Sequence, residues 1–180
     1  MSNLHRRIRL QHLIVQQPSS FREVIYRKTA KLFEAGALTA AILARQPENI
    51  CQAMASYGRH LGTAFQLVDD ALDYDASAEE MGKNVGDDLA EGKPTLPLIH
   101  AMNHGTPEQA SLIRACIENG GREHIAAVTE AIETTGALEY TARSAQQEAS
   151  SAIASLTDLP DSEYKQALIG LAEFAANRRY

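Results

Sequence analysis

The chain has 180 residues, enough for one domain that buries roughly two-thirds of the surface its unfolded form exposes. Apolar residues make up 44% of it and charged residues 22%, Trp is absent, and the net charge is −6. That acidic balance excludes a general nucleic-acid binder, which would show a basic face. No stretch of about 18 apolar residues is present, which excludes a membrane-spanning helix.

Abundant alanine and the lack of alternating β-branched runs point to an all-α protein, a helical bundle. Residues 1–19 stand apart, with Arg6, Arg7 and Arg9 their charged residues and Gln16-Gln17-Pro18-Ser19 at their end. They read as an atypical leader, separate from a helical domain over 20–180. They have neither the apolar core nor the cleavage site of a secretory signal, so a cytoplasmic location is expected. Cys51 and Cys116 lie far apart in no metal-like spacing, and both read as buried thiols.

Ser20-Phe21-Arg22-Glu23 matches a capping box, so a helix is predicted from Ser20. Apolar positions recur at helical spacing through Val24, Ile25, Leu32, Phe33, Leu38 and Leu43, until Pro47 ends the run. A second long helix follows from about Glu48 to Tyr74. Ser77-Ala78-Glu79-Glu80 offers another capping box. Residues 82–94 read as an ordered polar loop with glycines and lysines. Helix resumes near Thr95 and stops around His104-Gly105, and Thr106-Pro107-Glu108-Gln109 restarts it. Gly120-Gly121, Gly136 and Pro160 divide the remainder into three more helices.

Three clusters carry chemistry. Asp69, Asp70 and Asp73 sit in an otherwise apolar stretch, one helical turn apart or adjacent, where like charges oppose one another and aspartate is a poor helix former. A divalent cation removes that conflict, since Mg2+ takes hard oxygen ligands from one or two carboxylates plus waters and phosphates. A solvated acidic face is the alternative reading. The second cluster runs from Gly82 to Thr95: its glycines let backbone approach a ligand, and Lys83 and Lys93 are flexible cations suited to phosphate. Asp87 and Asp88 could orient those lysines. Read alone, such a run is usually just a surface turn. The third is Tyr26-Arg27-Lys28-Thr29-Ala30, which places a charge and a hydroxyl in mid-helix; an exposed basic helix face is its plain alternative. His60, His100, His104 and His124 show no joint metal spacing and read as surface or helix-end residues.

Together, Tyr26 to Ala30, the run Gly62-Thr63-Ala64-Phe65-Gln66 with its Asp triplet, and Gly82 to Pro97 resemble the trans-isoprenyl diphosphate synthases of the long-chain polyprenyl type. The resemblance runs from about Phe21 to the C-terminus. It implies a partial isoprenoid-synthase fold and a Mg2+-dependent prenyltransferase that condenses isopentenyl diphosphate with an allylic diphosphate. It implies Asp69, Asp70 and Asp73 as magnesium ligands, with Asp69 the foremost. It also implies Lys28, Thr29, Gln66, Lys83 and Lys93 as diphosphate contacts and Phe65 as a neighbour of the isopentenyl group. Lys28, Asp69 and Lys83 would carry the catalytic roles. A homodimer and a basic C-terminus at Arg178-Arg179 that closes over substrate are further implications.

The family's first aspartate-rich motif and its upstream basic cluster have no counterpart here, and residues 1–20 contain no aspartate. The expectation is therefore a truncated form with little or no synthase activity alone. A non-catalytic partner subunit, a class I terpene cyclase and a plain helical bundle are the competing readings. An intact aspartate triplet weighs against the partner subunit, and Lys28-Thr29 with the Gly-Lys segment weighs against the cyclase.

Overall fold

The computed structural model describes residues 18–75 and 85–178. Every regular element in them is a helix, in keeping with the alanine-rich, alternation-free sequence. Helix α1 spans Pro18–Ile25 and passes into a π-helical turn, Tyr26–Ala30, then α2, Lys31–Leu43. The helix starts two residues before the predicted Ser20, because a proline has no first-turn amide to lose and its fixed φ suits that turn. Ser20 is therefore inside the helix instead of capping it. Arg45 takes φ 54 at the break that precedes Pro47.

Helix α3 spans Glu48–Leu72, stopping two residues short of the predicted Tyr74. The Ser77–Glu80 box lies outside the described residues, as do residues 1–17. Within the stretch expected to be loop, Asp87–Ala90 forms one short turn of helix, α4. Helix α5, Leu96–His104, follows Thr95 as its N-cap. Helix α6, Pro107–Asn119, begins on the reciprocal box between Thr106 and Gln109. A 3-10 turn, Arg122–His124, leads into α7, Ile125–Thr134; α8 spans Ala137–Ser155 and α9 Glu163–Asn177.

The described chain forms two compact units. One takes in Asp69–Thr141, the other Val24–Val68 with Ala142–Arg179. The core of the first is built from Leu89, Leu98, Ile113, Val128 and Ile132, all fully buried, with Cys116 among them. The second buries Tyr57, Leu61, Ala152, Leu156, Ala172 and Ala175 together, and the Tyr57 hydroxyl donates to the Leu168 carbonyl at 2.8 Å. Cys51 and Cys116 are both buried free thiols. Among the described residues, no helix is long and apolar enough to cross a membrane.

Candidate functional site

In the unit holding Val24–Val68, two glycines set the geometry. Gly58 and Gly62 lie one turn apart on α3. A Cβ on Gly58 would meet the Phe33 carbonyl oxygen at 2.4 Å, and one on Gly62 would meet the Ala30 Cα at 2.7 Å. Only glycine permits an approach that close. One turn further along the same face is Gln66, 4% exposed, and it meets the π-helical turn. There Thr29 donates its hydroxyl to Gln66 Oε1 at 2.6 Å. The wide turn thus carries the whole Tyr26–Ala30 motif, in line with the tendency of such bulges to sit at functional positions. Lys28, on that turn, is exposed and makes no hydrogen bond or ion pair within the described residues.

Phe65, half-buried, packs its ring 5.6 Å from that of Phe33. The Arg178 guanidinium stacks over the same ring at 3.8 Å and donates from Nη2 to the Phe65 carbonyl at 2.9 Å. Nearby sequence reasoning missed Glu34, a buried acid. Its Oε1 accepts from Lys31 Nζ at 2.7 Å and from the Tyr26 hydroxyl at 3.3 Å. Arg59 Nε lies 3.2 Å from Oε2 as an ion pair but off the line of a hydrogen bond. Burial pushes the Glu34 carboxyl up, yet the bonds from Lys31 and Tyr26 and the Arg59 charge outweigh it, leaving it below the usual range. The signal for Glu34 was a lone acid within the apolar run of α2.

In the unit holding Asp69–Thr141, Asp69 and Asp70 lie in the last turn of α3 and Asp73 directly follows it. Asp69 is exposed, Asp70 is 3% exposed, and Asp73 is half-buried. The backbone amide of Asp88 donates to Asp73 Oδ2 at 3.0 Å, and the Gly86 amide donates to the Asp73 carbonyl at 2.9 Å. Gly86 adopts φ 81, a left-handed conformation that suits glycine. The Asp88 carboxylate in turn accepts from Lys93 Nζ at 2.8 Å, and Glu91 lies 2.7 Å from the same nitrogen. Asp87 instead pairs with Arg122 at 2.9 Å.

Burial pushes the Asp73 carboxyl up to about 6, and the charges of Asp88 and Asp87 add to that push while the Asp88 amide resists it. Burial opposes the Lys93 charge, but Asp88 and Glu91 outweigh it and hold the ammonium above the usual lysine value. Among the described residues, no three His, Cys, Asp or Glu side chains converge as a ready metal cage. The donor set nevertheless fits magnesium. It consists of hard oxygens, Asp73 is held where its negative charge is disfavoured, and Mg2+ keeps several waters and needs only one or two carboxylates.

Of the residues singled out in the sequence, the structure brings Thr29 to Gln66, and links Asp73 through Asp88 to Lys93. Lys83 lies outside the described residues. His60 is half-buried and paired with Glu148 at 2.7 Å, and His100 stacks between His104 and Tyr140.

Acidic groups crowded at the end of one helix, with a glycine-lysine segment folded back on them, define an all-helical protein with a strained carboxylate cluster. The chain belongs to the polyprenyl synthetase family, whose model matches residues 8–135. That match begins inside the segment read as a leader.

The octaprenyl diphosphate synthase of Escherichia coli (strain K12) is 56% identical over 160 residues, 88% of this chain and 50% of that one. A polyprenyl synthase from Caulobacter crescentus, crystallised with calcium and isoprenyl diphosphate, superposes with a TM-score of 0.83 at 35% identity, covering 98% of this chain and 58% of its own. A geranylgeranyl pyrophosphate synthase from Corynebacterium glutamicum, complexed with isoprenyl diphosphate and magnesium, gives 0.80 at 29%, covering 98% and 55%. The chain thus spans about half the length of these relatives.

Proposed function

We propose that this chain supplies the allylic-diphosphate and magnesium side of a polyprenyl diphosphate synthase. What supports the reading most is Asp73, its carboxyl pushed up to about 6 and tied through Asp88 to Lys93. A charge disfavoured by burial and flanked by other carboxylates gains from a divalent cation.

In this reading Asp69, Asp70 and Asp73 hold magnesium, and Lys28, Thr29, Gln66, Lys83 and Lys93 contact the diphosphate. Magnesium, when bound, neutralises negative charge building on the departing diphosphate. Lys28, exposed on the wide turn, is placed to reach phosphate oxygens as a point charge. Lys93 would exchange its bond to Asp88 or Glu91 for one to phosphate. Thr29 fixes the Gln66 amide, so that side chain meets the ligand in one orientation. Phe65, its ring held by Phe33 and Arg178, lies beside the isopentenyl group. The allylic C–O bond ionises, the isopentenyl double bond attacks the cation, and diphosphate accepts the proton that is lost.

The 180 residues alone, with no counterpart of the first aspartate-rich motif, have little or no elongation activity. Binding is the direct test. Calorimetry with an allylic diphosphate is expected to show magnesium-dependent binding that Asp69→Ala and Lys83→Ala each abolish. Binding indifferent to both changes would favour a non-catalytic subunit instead, a reading to which the exposed Leu32, Ile42 and Leu43 of α2 lend some support. Chain elongation by the purified protein, followed with labelled isopentenyl diphosphate, would overturn the claim of inactivity.

A further inference from the structure

Two hydroxyls beneath the aspartates have no evident use. Tyr74 is 1% exposed and Thr95 5%, and among the described residues neither Tyr74 Oη nor Thr95 Oγ1 has a hydrogen-bond partner. An unpaired buried hydroxyl costs roughly 1–3 kcal/mol, and the large majority of buried polar side chains are paired. Phenylalanine and valine would fill the same space without that penalty.

Their surroundings suggest what they are for. Tyr74 directly follows Asp73 and sits one turn beyond Asp70, and the charges of Asp73, Asp88 and Asp70 all act on it. The Thr95 hydroxyl lies near enough to that of Tyr74 to influence it, without meeting the geometry of a full hydrogen bond. Thr95 is also tied by its amide to the Lys93 carbonyl at 3.0 Å, while Lys93 holds Asp88. The end of α3 and the segment Asp88–Thr95 therefore meet at these two oxygens. One is a phenol that can donate its proton while its oxygen accepts another, among ionised carboxylates that can only accept.

We propose that Tyr74 and Thr95 are positioning residues for the metal-binding carboxylates. On cation binding, Tyr74 donates its hydroxyl to an oxygen of the aspartate cluster, and Thr95 donates to the Tyr74 oxygen. This short chain fixes the carboxylates in their ligating orientation, as hydrogen-bonded neighbours of metal ligands commonly do. The metal-free chain carries the two hydroxyls unpaired, and the bound state pairs them. The inference rests on the reading of the aspartates as cation ligands.

The test uses the full 180-residue chain with Mn2+ alone as probe, its affinity read by electron paramagnetic resonance and each variant's metal-free melting temperature read by circular dichroism. Tyr74→Phe is expected to weaken Mn2+ binding about tenfold, and Thr95→Val severalfold, while Thr95→Ser keeps wild-type affinity. The metal-free melting temperature of Tyr74→Phe should equal or exceed that of the wild type, an outcome a purely structural tyrosine would not give. Mn2+ affinity within twofold of wild type in both Tyr74→Phe and Thr95→Val, with binding lost in Asp69→Ala, overturns this inference and leaves the cation reading intact. Mn2+ binding that survives Asp69→Ala undiminished, or is absent from the wild type, overturns both. Should Tyr74→Phe fail to fold, the Thr95→Val and Thr95→Ser pair decides the matter by the same criteria.

Discussion

The two regions that carry the motif residues are built on opposite principles. Around Thr29 and Gln66, backbone meets backbone through Gly58 and Gly62, and the polar groups that result are paired: Thr29 with Gln66, Glu34 with Lys31 and Tyr26. Around Asp73, a carboxylate is held where its charge is disfavoured, and two hydroxyls nearby are left without partners. The first region is closed by the fold itself, down to Glu34 Oε2, which has the Arg59 charge beside it in place of a hydrogen bond. The second reads as a place whose bonding is completed by something that binds. Close packing preorganises a contact, whereas an unrelieved charge stores an affinity for a cation.

That contrast can be broken most forcefully on the packed side. Gly58→Val must push the Phe33 backbone away, and the loss is expected to be about 3 kcal/mol in a urea titration. A variant as stable as the wild type would show that the two helices do not need this approach. Glu34→Leu comes next. It strips the acceptor from Lys31 and Tyr26, and because Lys31 and Arg59 are more than half exposed and can return to water, the expected loss is smaller, about 1–2 kcal/mol.

Asp73→Asn should act with the opposite sign. Burial pushes the folded carboxyl up to about 6 from the 3.8 of an exposed aspartate, so folding favours its neutral form. The stability this confers is full below about pH 4 and is lost as pH rises through about 6. In metal-free buffer at pH 7.5, asparagine is therefore expected to stabilise by about 1–2 kcal/mol, allowing for the side chain's partial access to solvent. The difference should vanish near pH 3.5, as followed by melting curves across the range. Stabilisation that persists unchanged at pH 3.5 would assign the effect to something other than charge.

Much of the helix order was legible because the punctuation is local. Thr106-Pro107-Glu108-Gln109 caps α6 through its own atoms, and Gly136, at φ 64, divides α7 from α8 as a glycine should. The π-helical turn was not legible. Nothing in Tyr26–Ala30 demands a wide turn, and its setting is the packing against the glycines of α3, more than 25 positions away. The aspartates stood out by their apolar context, yet the bond from Asp88 to Asp73 joins positions 15 apart, which no local pattern marks. Arg178 drew notice only as part of a basic terminus. Its seat over Phe65 joins positions 113 apart, which no local pattern encodes.

The wide turn has a genetic reading as well. A π turn holds one residue more than the α-helical path it replaces, so the Tyr26–Ala30 segment behaves as a one-residue insertion kept inside a helix. Deleting any one of its residues would let the helix run on without a break. The flanking helices would keep their faces, since the extra residue is what the wide turn absorbs, and only the residues inside the turn would change direction. A frame-preserving loss of three nucleotides there would leave composition and helicity almost untouched while pulling Thr29, or what replaces it, out of line with Gln66. Substitutions in this stretch can be judged one side chain at a time; deletions cannot.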